Sequence, residues 1–389
     1  MREVIIIGGG PAGAVCGERL ARARTGTTVT IIDDHLAWEK PCGGGLTQKA
    51  IRAYPFLLDG PHPKKIIREI ELRAGPETSA RLSLDDPIVI YSRQVLNGLL
   101  LDRAERSGGR ILHARAVALD TGAPRPRVTL ATGEKLEGDF VVLAAGARNR
   151  LLPASAGVEP LDPLAPADLE QTLGYYIPVE SDILKIKFVP NFRGYLWSFP
   201  RPGHLSVGIC GQLDQYSTAT LRAHLEQYVD EERLPREGAT VFSHLLPSPR
   251  PATVRDRPVL GPVWALAGDA AATVDAITGE GIFYALRSGE LLGECLAANQ
   301  PQEYPHRLRA EFGAELERAA QLAPRFYSEN FMGGAVTTRT VEFARRSPTF
   351  RRLLAAIFTG TQDYRTLPQR LWAQLPLSLA EIACHFLVE

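Results

Sequence analysis

Near the start of the chain, Gly8, Gly10 and Gly13 fit the spacing GxGxxG within "IIIGGGPAGAVCGERLARA", with Pro11 and Ala12 filling the turn. In this pattern the first glycine permits a sharp turn out of a strand and the second lets backbone amides approach a pyrophosphate. The third lets the following helix close on the sheet. A diphosphate then sits at a helix N-terminus, where unpaired N–H groups and the helix dipole attract anions. Asp33, twenty residues past Gly13 at the end of "TVTIIDD", is placed to accept hydrogen bonds from an adenosine ribose, with Asp34 beside it. An acid there repels a 2′-phosphate, so NAD or FAD is favoured over NADP.

A second group of residues lies in "WALAGDAAATVDAITGEGIFYALRSG". Gly268 and Asp269 end a predicted strand, which puts a carboxylate where a sugar-like chain can be held. Gly279 and Gly281 open the next helix at Ile282, with its amides facing inward. Arg93 begins the helix "SRQVLNGLL"; it reads either as a cofactor contact or as a solvated cation at a helix start. Tyr195, Trp197 and Phe199 alternate in "YLWSFP", which ends at Pro200, so they share one face of a strand. That stripe reads as a substrate wall or as plain sheet packing.

The elements that must position these residues change character along the chain. Residues 3 to 34 read as strand, turn, helix and strand, the mark of a parallel sheet with a crossover helix. "IIREIELRA" and "SARLSLDD" then alternate as antiparallel hairpins. A helix at "SRQVLNGLLLDRAERSGG" and strands at "RILHARAVALD", "RVTLAT" and "DFVVLAAG" follow, up to a proline-rich boundary, "LLPASAGVEPLDPLAPADLE". Further strands precede the 268–282 region, and from Pro301 the chain reads as helical, with "FRRLLAAIF" as one apolar stripe. The expected fold is mixed α/β. A Rossmann-type dinucleotide domain (1–65, 91–155 and 255–300) is interleaved with an antiparallel-sheet substrate domain (66–90 and 156–254), and a helical region (301–389) follows.

Composition narrows the partners. With 389 residues, 45% hydrophobic and 23% charged, the chain has forty-four basic against forty-four acidic side chains. There is no global field to collect a polyanion, so nucleic acid is a poor partner. Five scattered cysteines give no zinc or disulfide pattern, and the eight histidines no ligand spacing, so no metal is expected. No signal peptide or membrane span is recognisable, and a cytoplasmic location is expected, with peripheral membrane contact open. The basic C-terminal helices, with Arg345, Arg346, Arg351 and Arg352, either rest on anionic lipid or pack on the dinucleotide domain.

The segment around Gly268 and Asp269 resembles the GD motif of the para-hydroxybenzoate hydroxylase type of flavoproteins. By that resemblance Asp269 contacts the ribityl chain of FAD, Gly279 and Gly281 lie by the isoalloxazine, and Arg93 reaches the cofactor. Ala145 and Gly146 stand where many hydroxylases carry Asp-Gly, so the role of that carboxylate does not transfer. "EKPCGGGLT" (Glu39 to Thr47) and "YLWSFP" resemble the geranylgeranyl reductase group, which saturates isolated double bonds of isoprenoid chains. The group's second glycine after YxWxFP is replaced here, giving Gly208-Ile209-Cys210. The resemblance puts Cys42, Gly43 and Gly44 beside the flavin. Cys42 is either a contact to substrate or flavin or a buried thiol.

The resemblance implies an FAD-dependent reductase. Its apolar isoprenoid substrate calls for a dry cavity and a proton source. The electron donor is NADPH or a ferredoxin-like protein, since no second Rossmann fingerprint is present. A flavin monooxygenase or halogenase on the same scaffold and a non-catalytic flavin- and lipid-binding protein are the competing readings.

Overall fold

The computed structural model describes residues 3–75, 78–122, 125–148, 150–152 and 161–388, and side chains as far as His385. The chain folds as two compact units, each discontinuous in sequence. One comprises 1–40, 93–169 and 245–317; the other comprises 41–92, 170–244 and 318–389. Part of the predicted proline-rich boundary, 153–160, lies outside the described residues.

The first unit is built on a five-stranded parallel sheet in the order Trp264–Leu266, Phe140–Leu143, Glu3–Ile7, Thr28–Asp33, Arg110–His113. Its central strands are continuous apolar runs because both faces are covered. The helix Pro11–Arg22 packs against the helices Arg93–Arg106 and Ile282–Ala297. The strands Ala116–Asp120, Arg127–Leu130 and Lys135–Glu137 form a small antiparallel sheet. Val128 and Leu130 of that sheet close a core with Ile5, Ile7, Ile32, Val141 and Leu143. Gly108 has φ +102° just past the helix Arg93–Arg106, a left-handed stop that favours glycine.

The second unit holds an eight-stranded sheet in the order Thr240–Pro247, Leu169–Ile177, His204–Gln212, Gly194–Arg201, Leu184–Phe188, Lys65–Ala74, Ser79–Ile90, Gly45–Leu46. Wholly antiparallel pairing was the expectation, but Leu184–Phe188 runs parallel to Lys65–Ala74. Those two strands come from separate insertions, so no hairpin constrains their sense. Residues 41–65 fall outside the expected flavin segment because Gly45–Leu46 pairs with the strand Ser79–Ile90. Similarly, the helices Val336–Arg346 and Pro348–Phe358 pack on Ser79–Ile90. The expected packing of these helices on the flavin domain is therefore corrected: residues 318–389 belong to the second unit.

Asp168 ties together two distant segments of the first unit. It is 3% exposed and accepts hydrogen bonds from the Arg250 N–H (2.8 Å), the Arg250 guanidinium (2.8 and 3.1 Å) and the Thr253 hydroxyl (2.7 Å). Burial by itself raises this carboxyl, but the bonds from Arg250 and Thr253 outweigh it and hold the group below its ordinary value of 3.8. A depressed carboxylate stabilises the fold above its unfolded pKa, and that contribution disappears as pH falls through the lower folded value. Asp168→Asn is expected to cost on the order of 2 kcal/mol at neutral pH. The deficit against wild type should shrink below about pH 4, read from urea unfolding as a function of pH.

Candidate functional site

The strand Glu3–Ile7 ends in a turn that only glycine can make. Gly8 sits at φ +107°, and a Cβ there would lie 2.3 Å from the Ala144 carbonyl oxygen. A Cβ on Gly13 would lie 1.9 Å from the Gly8 carbonyl oxygen. Gly10 differs, because a Cβ there meets nothing within 4 Å and its φ of −70° is open to any residue. Its glycine therefore keeps space clear above the N-terminus of Pro11–Arg22, as an approaching pyrophosphate requires. Pro11 fits the first turn, where an N–H has no helical partner.

Asp33 uses one carboxylate oxygen to accept the Gly9 N–H at 2.6 Å and the other to accept the N–H groups of His35 (2.7 Å) and Leu36 (2.9 Å). It thus shapes the turn at the end of the strand Thr28–Asp33. Asp34 is exposed and lies 2.6 Å from the His35 Nδ1. Among the described residues, Asp33, Asp34 and His35 bring ligand atoms within 4.8 Å of one another, a proximity the histidine spacing did not suggest. The three backbone bonds to Asp33 account for that arrangement without an ion.

Asp269 lies just after the strand Trp264–Leu266, where Gly268 adopts φ +64°. A Cβ on Gly268 would sit 2.9 Å from that of Ala12, so the two cofactor motifs pack directly on each other. Lys40 reaches Asp269 at 3.1 Å. Gly281 precedes the helix starting at Ile282, and its Cβ position is 3.5 Å from the Asp269 Oδ1. The Gly279 loop is closed by Asp275, which is 3% exposed and accepts from the Ile277 N–H (2.8 Å) and the Thr278 hydroxyl (2.8 Å). Glu39 accepts from the N–H of Arg93 at 2.9 Å. Sequence reading missed Lys40, Asp275 and Glu39. Only the adjacency of Glu39 and Lys40 to the glycine segment hinted at two of them.

Arg93 is 4% exposed, which removes the solvated-cation reading. One guanidinium nitrogen donates to the Asn97 side chain at 3.2 Å, while its Nε is a buried donor without an acceptor. An orphaned donor on a buried cation is costly unless a ligand satisfies it. With the open space over Gly10, it fits an anionic, hydrogen-bonding cofactor such as FAD.

In the second unit the two reductase-like segments meet. Phe199 lies against the glycines of the loop, with Cβ positions on Gly43 and Gly45 falling 2.9 and 3.1 Å from its ring. Gly44 adopts φ +80° and its carbonyl accepts the Tyr91 N–H at 3.1 Å. Arg201, fully buried, donates to the carbonyl oxygens of Cys42 and Gly43 and lies 5.2 Å over the Tyr176 ring. The Ser206 hydroxyl donates to the Cys42 carbonyl at 3.1 Å. Arg201 follows Pro200 immediately, yet nothing in its spacing marked it as the support of a loop far back in the chain.

Tyr195, Trp197 and Phe199 stand opposite Cys210, Gly208 and Ser206. A Cβ on Gly208 would fall 2.4 Å from the Trp197 ring, so the glycine is there to let the indole lie flat. Gly174 on the next strand carries the Phe242 ring in the same way, at 2.3 Å. The helix Thr218–Glu231 packs on the other face, against Leu173, Leu196, Val207 and Ile209. The stripe is therefore separate from that core.

Cys42 is half-buried and its Sγ accepts the Gly44 N–H at 3.3 Å. Other thiols are held protonated: burial pushes Cys16 up to about 12, and burial, with Glu170 nearby, pushes Cys210 higher than an ordinary thiol.

Gly10→Val is expected to fold with an unchanged melting temperature and to lose bound flavin roughly tenfold or more, because the branched side chain enters the phosphate space. Gly13→Ala should instead lose about 1–3 kcal/mol of stability through overpacking. Flavin absorbance and thermal melts of the two purified variants separate these effects.

Residues 2–175 match the pyridine nucleotide-disulphide oxidoreductase family. The chain is 30% identical over 378 residues to a menaquinone reductase of Mycobacterium tuberculosis, covering 87% of this chain and 88% of that protein. It is 29% identical over 329 residues to a geranylgeranyl diphosphate reductase of Synechocystis sp., covering 78% and 77% respectively. A geranylgeranyl bacteriochlorophyll reductase-like protein from Thermoplasma acidophilum shares the fold, with a TM-score of 0.74 at 19% identity over 97% of this chain and all of that one. The chain therefore belongs to the geranylgeranyl reductase family of FAD-dependent oxidoreductases.

Proposed function

We propose that the protein reduces isolated carbon–carbon double bonds in isoprenoid chains. The observation that carries the reading is the packing of Phe199 on Gly43 and Gly45, which joins the two segments specific to this group into one structure. Relatives named for reducing geranylgeranyl and menaquinone compounds support it. Reduced FAD, when bound, supplies the hydride, and a proton completes the addition across the alkene.

The roles of this chain's residues follow from their chemistry and from the family resemblance. Gly8, Gly10, Pro11, Ala12 and Gly13 would hold the diphosphate, Asp33 and Asp34 the adenosine end, Gly268 and Asp269 the ribityl chain, and Gly279, Gly281 and Ile282 the isoalloxazine side of the cofactor. Arg93 would donate its unpartnered Nε–H to the cofactor. Cys42, Gly43 and Gly44 keep the flavin-adjacent role that the resemblance implies. Tyr195, Trp197, Phe199 and Pro200 offer an apolar, aromatic face to a chain that carries no charge to grip. Electrons arrive from NADPH or a ferredoxin-like protein in transient contact.

Anaerobic incubation of the dithionite-reduced enzyme with geranylgeranyl diphosphate and with menaquinone should yield products heavier by two hydrogens per bond reduced. Product at neither substrate, with hydroxylated or halogenated product and coupled oxygen uptake in a parallel aerobic incubation, would instead favour the monooxygenase alternative. Trp197→Ala should raise KM several-fold with flavin content intact, because loss of the indole over Gly208 breaks up the aromatic face offered to the chain. Cys42→Ala should lower kcat at unchanged flavin content if the thiol touches the reacting chain; unchanged turnover would reduce Cys42 to a turn residue.

A further inference from the structure

The last helix, Leu367–Val388, faces the reverse of what water demands. Gln374, Ser378, Glu381 and His385 recur on one helical face, and that face points inward, with Ser378 7% exposed. The rest of the helix circumference carries Leu371, Trp372, Leu375, Leu377 and Leu379, which are 39%, 75%, 40%, 55% and 54% exposed, with Trp372 and Leu379 farthest from the inward face. Polar bonds fix this orientation. The Glu381 carboxylate accepts from the Ser347 hydroxyl (2.5 Å), the Thr349 N–H (3.1 Å) and the Thr349 hydroxyl (2.8 Å) at the start of Pro348–Phe358. Rolling the helix to bury its leucines would break all three bonds and withdraw the anion from a helix N-terminus.

A second apolar feature lies in the same helical region. The short hairpin Asn330–Phe331 with Gly334–Ala335 exposes Phe331 (51%) and Met332 (69%). It packs on the helix Val336–Arg346, which also packs on the last helix.

Charge selects what covers these surfaces. Residues 331–389 contain seven arginines and four carboxylates in a chain of zero net charge, and residues 371–380 carry no charge at all. Two of the four carboxylates are engaged locally, Glu342 with Arg339 at 2.6 Å and Asp363 with Arg365 at 2.5 Å. A third, Glu381, is the cap just described. Arg345 and Arg352 are exposed. Two copies meeting face to face through a two-fold axis would bring two regions with an excess of arginine together, whereas an anionic bilayer complements that excess. Trp372, apolar in body with a polar N–H, suits the boundary between acyl chains and headgroups.

We propose that the outward face of the last helix, with the hairpin tip, seats the protein on an anionic lipid bilayer surface. The helix lies in the interfacial plane with its leucines among the acyl chains; it does not cross, since no helix among the described residues is long and apolar enough to span a membrane. This inference goes beyond the reductase reading and does not depend on it.

The FAD-loaded full chain should sediment with vesicles of phosphatidylcholine containing phosphatidylglycerol far more than with phosphatidylcholine alone. Trp372→Glu combined with Leu379→Glu should weaken that binding roughly tenfold or more, with flavin content unchanged. Brominated lipid tails should quench tryptophan fluorescence in the wild type, and Trp372→Phe, which adds no charge, should lose that quenching. Equal sedimentation with both vesicle types, undiminished binding in the double variant or absent quenching would overturn the proposal. So would a dimer in light scattering that the double variant splits, which would assign the face to a second copy.

Discussion

The first helix, Pro11–Arg22, is held on three sides by approaches too close for any side chain. Beyond the Gly8–Gly13 contact at its start, a Cβ on Gly17 would fall 2.6 Å from Ile31. From the opposite side, Cβ atoms on Gly289 and Gly293 of the helix Ile282–Ala297 would fall 2.1 and 2.8 Å from the carbonyl oxygens of Ala12 and Cys16. Close-packed interiors transmit displacement instead of absorbing it. The helix N-terminus is therefore fixed in place, and an anion site made of backbone N–H groups is useful only when its geometry does not drift. Gly268, packed on Ala12, ties the segment after the strand Trp264–Leu266 to the same point.

The second unit uses the same device with aromatic rings. Trp197 on Gly208, Phe242 on Gly174 and Phe199 on Gly43 are each a flat ring laid over a position without a Cβ. The result is a smooth aromatic face on one side of the sheet, while Leu173, Leu196, Val207 and Ile209 form an ordinary core on the other. Arg201 supports the loop beneath Phe199. Burying a guanidinium is expensive, and here carbonyl oxygens and the face of Tyr176 surround it. Such a cation shapes the loop through carbonyl oxygens, with no carboxylate needed.

Buried carboxylates elsewhere act as local clamps. Glu18, 6% exposed, takes two bonds from Arg103, and Glu290, 5% exposed, bridges Arg19 and Arg287 across the packed helices. Zero net charge thus conceals a distribution in which many acids are spent inside, and arginine remains in excess over 331–389.

Much of this was readable from residue order. The GxGxxG spacing, the strand before it and Asp33 after it are local, because they depend on backbone conformation over a few residues, and the structure has each where the pattern put it. The apolar alternation of "YLWSFP" correctly put three aromatics on one face. What tertiary structure alone decided depends on residues distant in sequence. The parallel pairing of Leu184–Phe188 with Lys65–Ala74, the support of the Cys42 loop by Arg201 158 residues later, and the burial of Arg93 are contacts that no periodicity encodes. The direction in which "LWAQLPLSLA" faces belongs to this class. An apolar helix pattern says only that one side must leave water; the bonds from Ser347 and Thr349 to Glu381 determine which side is left outside.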